Sequence, residues 1–565
     1  MPPTQTPASS TSDHVERPLQ AATASHSFSD EEKKIYDDQN IDASEPSTSA
    51  DGVTGRKITG VAWFVVNVAL LSATFLYAFD NTVTATVRPA IVDTFGNRID
   101  MLPWVSVAYP MGEAGSNPIW AKLNKFFNGK FVFLAALLIF EVGSAVIGSA
   151  SSISAVIAGR ALAGFGGSGI YVGTISMITG MTTAKEQNQY LNIVGMAWSL
   201  GTILGPIIGS AFVDSPATWR WAFYINICVA AVAAPACIWI MPLAPPSVSL
   251  GFMGVVKAFD HLGAVLFLGS VVSTVMLLGF GGVVYSWDSS QMIALYVVTA
   301  LLWIIFALQQ KFHILTSDRI FPVQFFKDPL MIGLWIWTIV AISDIVVTIY
   351  TLPLFFQFVR HDSSMRSAVY TLPFVASVVV SAGISGGLLH KFPWYKLWFI
   401  WASTLLLISN GLLSSIHTHT STAAICGYTV LQGFGVGPVI QLGYTVGQLK
   451  RPQATRKDVT AFFSCAQMGG LALSLGIATS VLINHATEEI SHILPNVPLS
   501  EIRGAIDGVG SNLFATMTEH VRAEVTNAVT KSVASVFYLN IFGAGLAFLI
   551  ALPLKFEKLD FTTLQ

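Results

Sequence analysis

Charged residues are scarce in this chain. Only 11% of its 565 residues are Asp, Glu, Lys or Arg, whereas 53% are hydrophobic, and the mean hydropathy is +0.62. Soluble globular chains carry about 25% charged residues, so most of this surface faces something other than water. The formal net charge is -2, which leaves no basic face to release counterions from a nucleic acid. The composition therefore predicts a membrane protein and gives no sign of a nucleic-acid partner.

Motifs for catalysis and cofactor binding are also missing. The four cysteines, Cys228, Cys237, Cys426 and Cys465, lie in apolar runs without CxxC spacing, which favours packing over metal or redox chemistry. The sequence contains no GxxxxGK[ST] phosphate loop and no nucleophile–base spacing. GFGGSG at 164–169 fits GxGxxG but lies within an apolar run, not in a βαβ unit. We expect no metal, no cofactor and no enzyme activity.

Long apolar runs are present throughout the chain after residue 57. A membrane-spanning helix needs about 20 mainly apolar residues. The runs number about fourteen and lie near 58–82, 103–122, 130–150, 154–180, 188–213, 220–242, 262–284, 291–310, 330–358, 367–390, 397–416, 421–447, 460–484 and 533–554. The predicted fold class is an all-α polytopic membrane protein with helices grouped as six, two and six.

Segments outside these runs complete the predicted layout. Residues 1–57, rich in Ser, Thr, Pro, Asp and Glu, predict a disordered tail, and 556–565 form a second tail. Lys and Arg concentrate in alternate short loops, which predicts that both tails are cytoplasmic. In 485–532, apolar residues recur every three or four positions, which predicts an amphipathic helix on the outside.

Two helices carry a matching glycine motif. The fourth run contains Gly164, Gly166 and Gly169, and the twelfth contains Gly433 and Gly435 in the same Gly-Phe-Gly order. Matching segments in two six-helix groups predict a parallel repeat that encloses a site near the bilayer midplane. Small residues let neighbouring helix backbones approach closely.

Several ionisable residues lie within the apolar runs. A charge at mid-bilayer costs at least a few kcal/mol, so each such residue needs a partner or a function. Arg160 either reaches out from an outer helix end or perturbs a carboxylate and couples proton movement to transport. Asp80 ends the first run, Glu113 and Asp344 are candidates for lining the cavity, and Glu141 is expected to bond to an adjacent helix.

The fifth run combines glycine with proline. Gly201, Gly205 and Gly209 recur at four-residue spacing and predict one smooth face, while Pro206 predicts a kink because it lacks an N–H. A smooth, kinked helix favours a hinge or a seal between the halves; a plain packing kink is the alternative.

Together these segments resemble a known family. LYAFDNTVTATVRPAI at 76–91, GRALAGFGGSGI at 159–170 and GTILGPIIGSAF at 201–212 are similar to motifs of the fourteen-helix drug:proton antiporters of the major facilitator superfamily. The resemblance covers 58–555 and is strongest to fungal secondary-metabolite and mycotoxin efflux pumps. It implies that Asp80 occupies the acidic position of the first motif, that Arg160 takes part in proton coupling, and that Gly201, Gly205, Pro206 and Gly209 form the antiporter motif.

One loop departs from that family. The loop between helices 2 and 3 usually reads GxLxDxxGRR, and its acidic and basic residues latch the cytoplasmic side. Here it reads AKLNKFFNGK at 121–130, with Lys125 where the acid belongs and with Lys122 and Lys130 retained. The latch must therefore be held in another way, or the transport cycle is altered.

These observations predict a proton-coupled exporter of a small amphipathic compound. The expected domains are a six-helix bundle at 58–242, a two-helix linker at 243–328 and a second bundle at 329–555. The expected partners are the lipid bilayer, a small-molecule substrate and protons; the chain is expected to be a monomer in the plasma membrane, with a vacuolar or vesicle membrane as the alternative. Uptake, for example of iron–siderophore complexes, and a non-transporting sensor on the same fold are the alternative functions.

Overall fold

The computed structural model describes residues 58–96, 101–248, 250–282, 284–316, 318–452, 455–506 and 517–560. The predicted tail at 1–57 lies outside these residues. Within the described ranges, thirteen helices are long and apolar enough to cross a membrane. One more helix, Leu102–Phe126, is 25 residues long but has lower hydropathy because it carries Glu113, two asparagines and two lysines. With it the count is fourteen, as the sequence predicts.

The first group of helices runs from residue 60 to residue 240. Its members are α1 (Gly60–Thr94), α2 (Leu102–Phe126), α3 (Gly129–Gly148), α4 (Ile153–Met181), α5 (Ala184–Val213) and α6 (Trp221–Pro235), which continues as one π-helical segment over Ala236–Ile240. Helix α1 packs along α5, and α4 packs against both α2 and α3. These pairings bury the glycine-rich faces of α4 and α5 within the group.

Two apolar helices follow the first group. After the short α7 (Phe252–Ala258), α8 (His261–Phe280) and α9 (Ser290–Phe312) form an antiparallel pair. Helix α8 packs on α2 and on the helix Arg456–Ile493 of the second group, whereas α9 contacts chiefly α8. Only 17% of the most apolar window of α9 is buried, so this helix presents most of its surface outward.

The second group begins after a 3-10 turn at Val323–Lys327. Its members are α10 (Pro329–Arg360), α11 (Ser364–Val369), α12 (Leu372–Leu388), α13 (Tyr395–Ser414), α14 (Thr422–Val436) with a 3-10 turn at Gly437–Val439, α15 (Leu442–Leu449), α16 (Arg456–Ile493), α17 (Leu499–Ile506) and α18 (Glu519–Ala551). The two groups meet mainly where α2 faces α16 and where α5 faces α12.

The segment 485–532 differs from its predicted form. Its first part is the end of α16, Ile502 and Ile506 lie on the short α17, and its last part is the start of α18. Val509 and Leu513 lie outside the described residues. The periodicity around Val525 belongs to the first turns of the last long helix, where Val525 is buried and Glu519, Arg522 and Glu524 give the helix a polar face. The structure thus contradicts one separate amphipathic helix.

Candidate functional site

Asp80 lies in the middle of α1, not at its end. The helix continues to Thr94, and two of its hydroxyl groups bond to its own backbone: Thr82 Oγ1 donates to Ala78 O at 3.3 Å and Thr86 Oγ1 donates to Val83 O at 3.0 Å. These polar residues are therefore compatible with a buried helix, and the predicted helix end at Asp80 is wrong.

Asp80 and Arg160 form a buried ion pair between α1 and α4. Arg160 Nη1 donates to Asp80 Oδ2 at 2.7 Å and to the Asp80 backbone oxygen at 2.9 Å. The side chains are 0% and 1% exposed, and the guanidinium lies 4.4 Å from the centre of the Tyr109 ring. Arg160 therefore does not reach out from a helix end. The sequence predicted both residues as site candidates, and the structure brings them together.

The second oxygen of Asp80 connects the pair to two further helices. Asn226 Nδ2 on α6 donates to Asp80 Oδ1 at 3.0 Å and to Ser144 Oγ on α3 at 3.1 Å. Glu141 lies one turn before Ser144, and among the described residues neither of its carboxylate oxygens has a hydrogen-bond partner. The predicted bond from Glu141 to an adjacent helix is therefore absent from the described part of the chain.

Glu113 lies at the seam between the two groups of helices. Its carboxylate accepts hydrogen bonds from Tyr77 Oη and, at 3.2 Å, from Asn81 Nδ2, both on α1. The second group closes over this cluster, because Tyr77 Oη lies 2.9 Å from Met468 Sδ and Tyr350 Oη donates to the Asn81 backbone oxygen at 3.3 Å. Glu113 is 1% exposed, and every donor to its carboxylate in the described structure is neutral.

Asp344 lies within the second group, on α10. Its Oδ1 accepts from Asn410 Nδ2 at 2.6 Å and from Gln432 Nε2 at 3.1 Å. Gln432 also accepts from Thr348 Oγ1 at 2.9 Å. The side chain is fully buried and points towards α13 and α14. The structure does not bring Asp344 together with the other three candidates.

A belt of neutral polar residues joins the groups further along the seam. Tyr171 on α4 donates to Gln467 on α16 at 2.8 Å and accepts from Gln441 at 3.0 Å. Ser464 on α16 donates to Asn117 on α2 at 2.8 Å. The sequence analysis did not predict this belt. The amide and phenol side chains inside apolar runs could have indicated it, because such groups need hydrogen-bond partners where water is absent.

The first glycine of each Gly-Phe-Gly motif faces an equivalent neighbour. A Cβ on Gly164 would collide with the backbone oxygen of Tyr109 on α2, and a Cβ on Gly433 would collide with the backbone of Phe374 on α12. Helices α2 and α12 are the second long helices of their groups. The shared motif thus supports the same close contact twice.

The remaining glycines extend these contacts. Gly166 faces α3 and Gly435 faces α13, the third long helix of each group, while Gly169 packs under the Trp120 ring of α2. All of these contacts lie within one group of helices and not between the two groups.

The glycines of the predicted antiporter motif pack α5 against α1. Gly201, Gly205 and Gly209 each lie directly on α1, where added Cβ atoms would collide with residues from Phe75 to Thr86. Helix α5 runs continuously through Pro206. The predicted seal between the halves is therefore not made by the glycine face, which lies on a helix of its own group.

Two of the three lysines in the unusual loop form ion pairs with acids from other segments of the chain. Lys122 Nζ lies 2.7 Å and Lys125 Nζ lies 2.9 Å from the carboxylate of Asp318, in the segment between α9 and α10. Lys125 also lies 3.8 Å from Asp458, near the start of α16. Lys130 Nζ donates instead to the backbone oxygen of Met241 at 2.9 Å. We call Lys122, Lys125, Asp318 and Asp458 the latch, and this side of the molecule the latch end.

Asp318 has an electrostatic environment that keeps it ionised. Burial alone would raise the pKa of its carboxyl, but the ammonium groups of Lys122 and Lys125 outweigh that effect and lower the pKa below its usual range. The latch therefore contains charges of both signs. Its lysines belong to the first group of helices, and its acids belong to the linker and to the second group.

A second buried carboxylate positions the Asp318 segment. Asp260 is 1% exposed and accepts four hydrogen bonds, from the side chains of Gln309 and Gln310 and from the backbone N–H groups of Gly263 and Ile320. A backbone bridge also joins Phe259 to Asp318. Asp260 therefore ties the start of α8, the end of α9 and the latch acid together.

Comparisons with known proteins agree with this architecture. The family described as Major Facilitator Superfamily matches residues 70–475. The MFS-type transporter pgmG of Aspergillus terreus is 38% identical over 506 residues, covering 89% of this chain and 90% of that protein. The efflux pump DEP3 of Fusarium langsethiae is 34% identical, with 94% and 96% covered, and the efflux pump patC of Aspergillus clavatus is 34% identical, with 94% and 97% covered.

Solved structures share the fold at low sequence identity. The human organic anion transporter MFSD10 superposes with a TM-score of 0.53 and 14% identity, covering 86% of this chain and all of that chain. A bacterial homologue of the human lysosomal transporter Spinster gives 0.52 and 15%, with 87% and 98% covered.

Proposed function

The chain belongs to the major facilitator superfamily, and on that premise we propose that it exports a small amphipathic organic compound in exchange for protons. It is a polytopic membrane transporter and not an enzyme. The proposed cargo class is a fungal secondary metabolite or toxin, so that export would protect the cell that makes it. The proposed location is the plasma membrane and the proposed state is a monomer.

Export is supported by the names of the relatives. DEP3 and patC are called efflux pumps, and both align over more than nine tenths of this chain. A further relative, from Leptosphaeria maculans, is named as the MFS-type transporter of a phomenoic acid biosynthesis cluster. These names favour outward movement of a natural product.

Proton coupling rests chiefly on the position of Glu113. An ionised carboxylate that is closed off from water costs several kcal/mol unless a cation pairs with it. Asp80 has Arg160 as its cation, whereas Glu113 has only the neutral donors Tyr77 and Asn81. The two buried acids are therefore suited to different roles.

Opening of the seam would change the hydration of Glu113. In the closed arrangement Met468 and Tyr350 of the second group cover the cluster. Separation of the groups would remove both side chains and admit water to the carboxylate, so a proton would be exchanged as the seam opens. Asp80 and Arg160 lie inside the first group and would hold α1, α4 and α6 in place during that movement.

Accumulation measurements test the proposal. Cells with and without the gene are loaded with a panel of amphipathic compounds that includes rhodamine 6G, at an acidic and a neutral external pH. We expect lower accumulation in cells with the gene, and a larger difference at acidic pH. Equal accumulation across the panel, or the same difference at both pH values, would contradict proton-coupled export.

A matched pair of variants isolates the role of Glu113. Glu113→Gln keeps the shape of the side chain and resembles its neutral, protonated form but cannot lose a proton, so the pH dependence should disappear. Glu488→Gln changes an exposed carboxylate on α16 and should leave the pH dependence intact. If the Glu113→Gln protein retains full pH dependence, Glu113 is not part of the coupling mechanism.

A further inference from the structure

A pocket of about 730 Å³ separates the linker helices from the second group. Its walls come from α8, α9, α10 and α16, and its floor reaches Ala114 on α2 and Cys465 on α16. The apolar part of this linker pocket is lined by Phe267, Val271, Trp303, Phe306, Phe321 and Trp335. Helix α9, which forms one wall of the linker pocket, presents most of its apolar surface outward.

Basic side chains occupy one end of the linker pocket. Lys311 ends α9, Arg319 follows the latch acid, and Lys327 ends the 3-10 turn before α10. Among the described residues none of the three is in an ion pair, and Arg319 Nε is buried without a hydrogen-bond partner. The remaining Arg319 contacts are with His313 and the Lys311 backbone oxygen, which supply no negative charge.

The acids near these cations are already engaged. Asp318 pairs with the latch lysines, Asp260 accepts four N–H donors, and Asp328 pairs with Arg451. No acid is among the residues that line the linker pocket in the described part of the chain. Three cations thus remain uncompensated at the end of an apolar cavity.

An amphiphile with an anionic head matches this distribution of charge. Basic clusters beside apolar gaps between membrane helices on the cytoplasmic side bind the head groups of anionic lipids. The latch end, where these cations lie, is the side that the loop charges predict to be cytoplasmic. We propose that the linker pocket binds one anionic phospholipid, with its phosphate at Lys311, Arg319 and Lys327 and an acyl chain along Phe267, Trp303 and Phe306.

Bound lipid would support the closed seam. The pocket floor at Cys465 adjoins the contact between α2 and α16, since Cys465 Sγ lies 3.2 Å from Asn117 Oδ1 and Ser464 donates to the same oxygen at 2.8 Å. An acyl chain would fill the space behind this contact. The lipid site is therefore separate from Glu113 but adjoins the same pair of helices.

Native mass spectrometry of the purified full chain tests the proposal with phosphatidylserine, phosphatidylcholine and inorganic phosphate as probes. We expect one retained phosphatidylserine, weaker retention of phosphatidylcholine and no competition by phosphate, because the acyl chain contributes to binding.

Each basic residue near a membrane surface contributes about fivefold to lipid affinity. The triple variant Lys311→Gln, Arg319→Gln, Lys327→Gln should therefore lose on the order of a hundredfold in phosphatidylserine affinity. The charge-matched control, Lys257→Gln, Lys391→Gln, Lys555→Gln, changes exposed lysines outside the pocket and should bind as the unmodified chain does.

A steric variant tests the apolar part independently. Gly469 lines the linker pocket, and a Cβ there would meet nothing within 4 Å, so Gly469→Leu should fill the pocket without displacing backbone. Gly427 is equally open but lies outside the pocket, which makes Gly427→Leu the control. Loss of lipid in Gly469→Leu alone would support the proposal. Equal retention of both lipids, equal losses in variants and controls, or displacement of phosphatidylserine by a transported compound would overturn it.

Discussion

Neutralising the latch acid should open the latch end of the transporter. Asp318→Asn removes the charge that holds Lys122 at 2.7 Å and Lys125 at 2.9 Å. The lysine side chains are 8% and 18% exposed and the aspartate side chain is 28% exposed, so these contacts lie between a surface pair and a buried one. Surface pairs contribute up to about 1 kcal/mol, and breaking a buried pair costs about 3–5 kcal/mol. We expect a loss of about 2 kcal/mol, which changes the ratio of closed to open molecules about 30-fold.

Distance measurements between spin labels on the two groups would detect this change. Suitable positions at the latch end are Gly180, where a side chain meets nothing within 4 Å, and the exposed Lys391, each replaced by cysteine after removal of the four native cysteines. Double electron–electron resonance should show a larger open fraction in Asp318→Asn than in Asp318→Glu. Asp288→Asn, an exposed change at the opposite end of the linker, serves as the control. An unchanged open fraction in Asp318→Asn, or the same increase in the control, would refute the assignment of the latch.

The pH response of the latch has a definite sign. The pKa of Asp318 is lowered, so its contribution is fully present above the ordinary aspartate range near pH 4 and is lost only as the pH falls through the lowered pKa. The open fraction should therefore stay constant between about pH 6 and pH 8. A latch that opened within that interval would mean that Asp318 is not its main acid.

Two further variants test the packing of the first group of helices. Arg160→Gln should lower stability by about 3–5 kcal/mol because it leaves Asp80 buried without its cation, and adding Asp80→Asn should restore part of that loss, measured as thermal unfolding in detergent. Gly164→Ala should lower the yield of folded protein in size-exclusion chromatography because its Cβ has no room against α2, whereas Gly427→Ala, where a Cβ meets nothing within 4 Å, should behave as the unmodified chain does.

The sequence singles out the buried ionisable residues but does not identify their partners. Asp80 and Arg160 stand out because charges are rare in apolar runs, but their pairing depends on how α1 and α4 pack. The threonines after Asp80 resemble a polar boundary and predict a helix end there, whereas the hydroxyls of Thr82 and Thr86 bond to backbone oxygens of the same helix. Local polarity alone does not distinguish these two cases.

Long-range partners account for most of what the sequence did not predict. Lys125 in an acidic position showed that the latch had changed, yet its partner Asp318 lies 193 residues away in a connecting segment. The four donors to Asp260 come from three separate segments of the chain. The start of α18 has the pattern of an independent amphipathic helix because its charged residues alternate with apolar residues that pack against the rest of the second group.

The Asp260 junction makes the linker helices inseparable from the lysine-bearing loop. A chimera that takes residues 121–130 from this chain but omits the linker through Asp318 would leave Lys122 and Lys125 without that acid, and only the 3.8 Å contact between Lys125 and Asp458 would remain. The reverse graft, a loop with an aspartate in place of Lys125, would set that acid against Asp318. Chimeras between transporters of this fold should therefore take the loop, the helix pair and the Asp318 segment from the same protein.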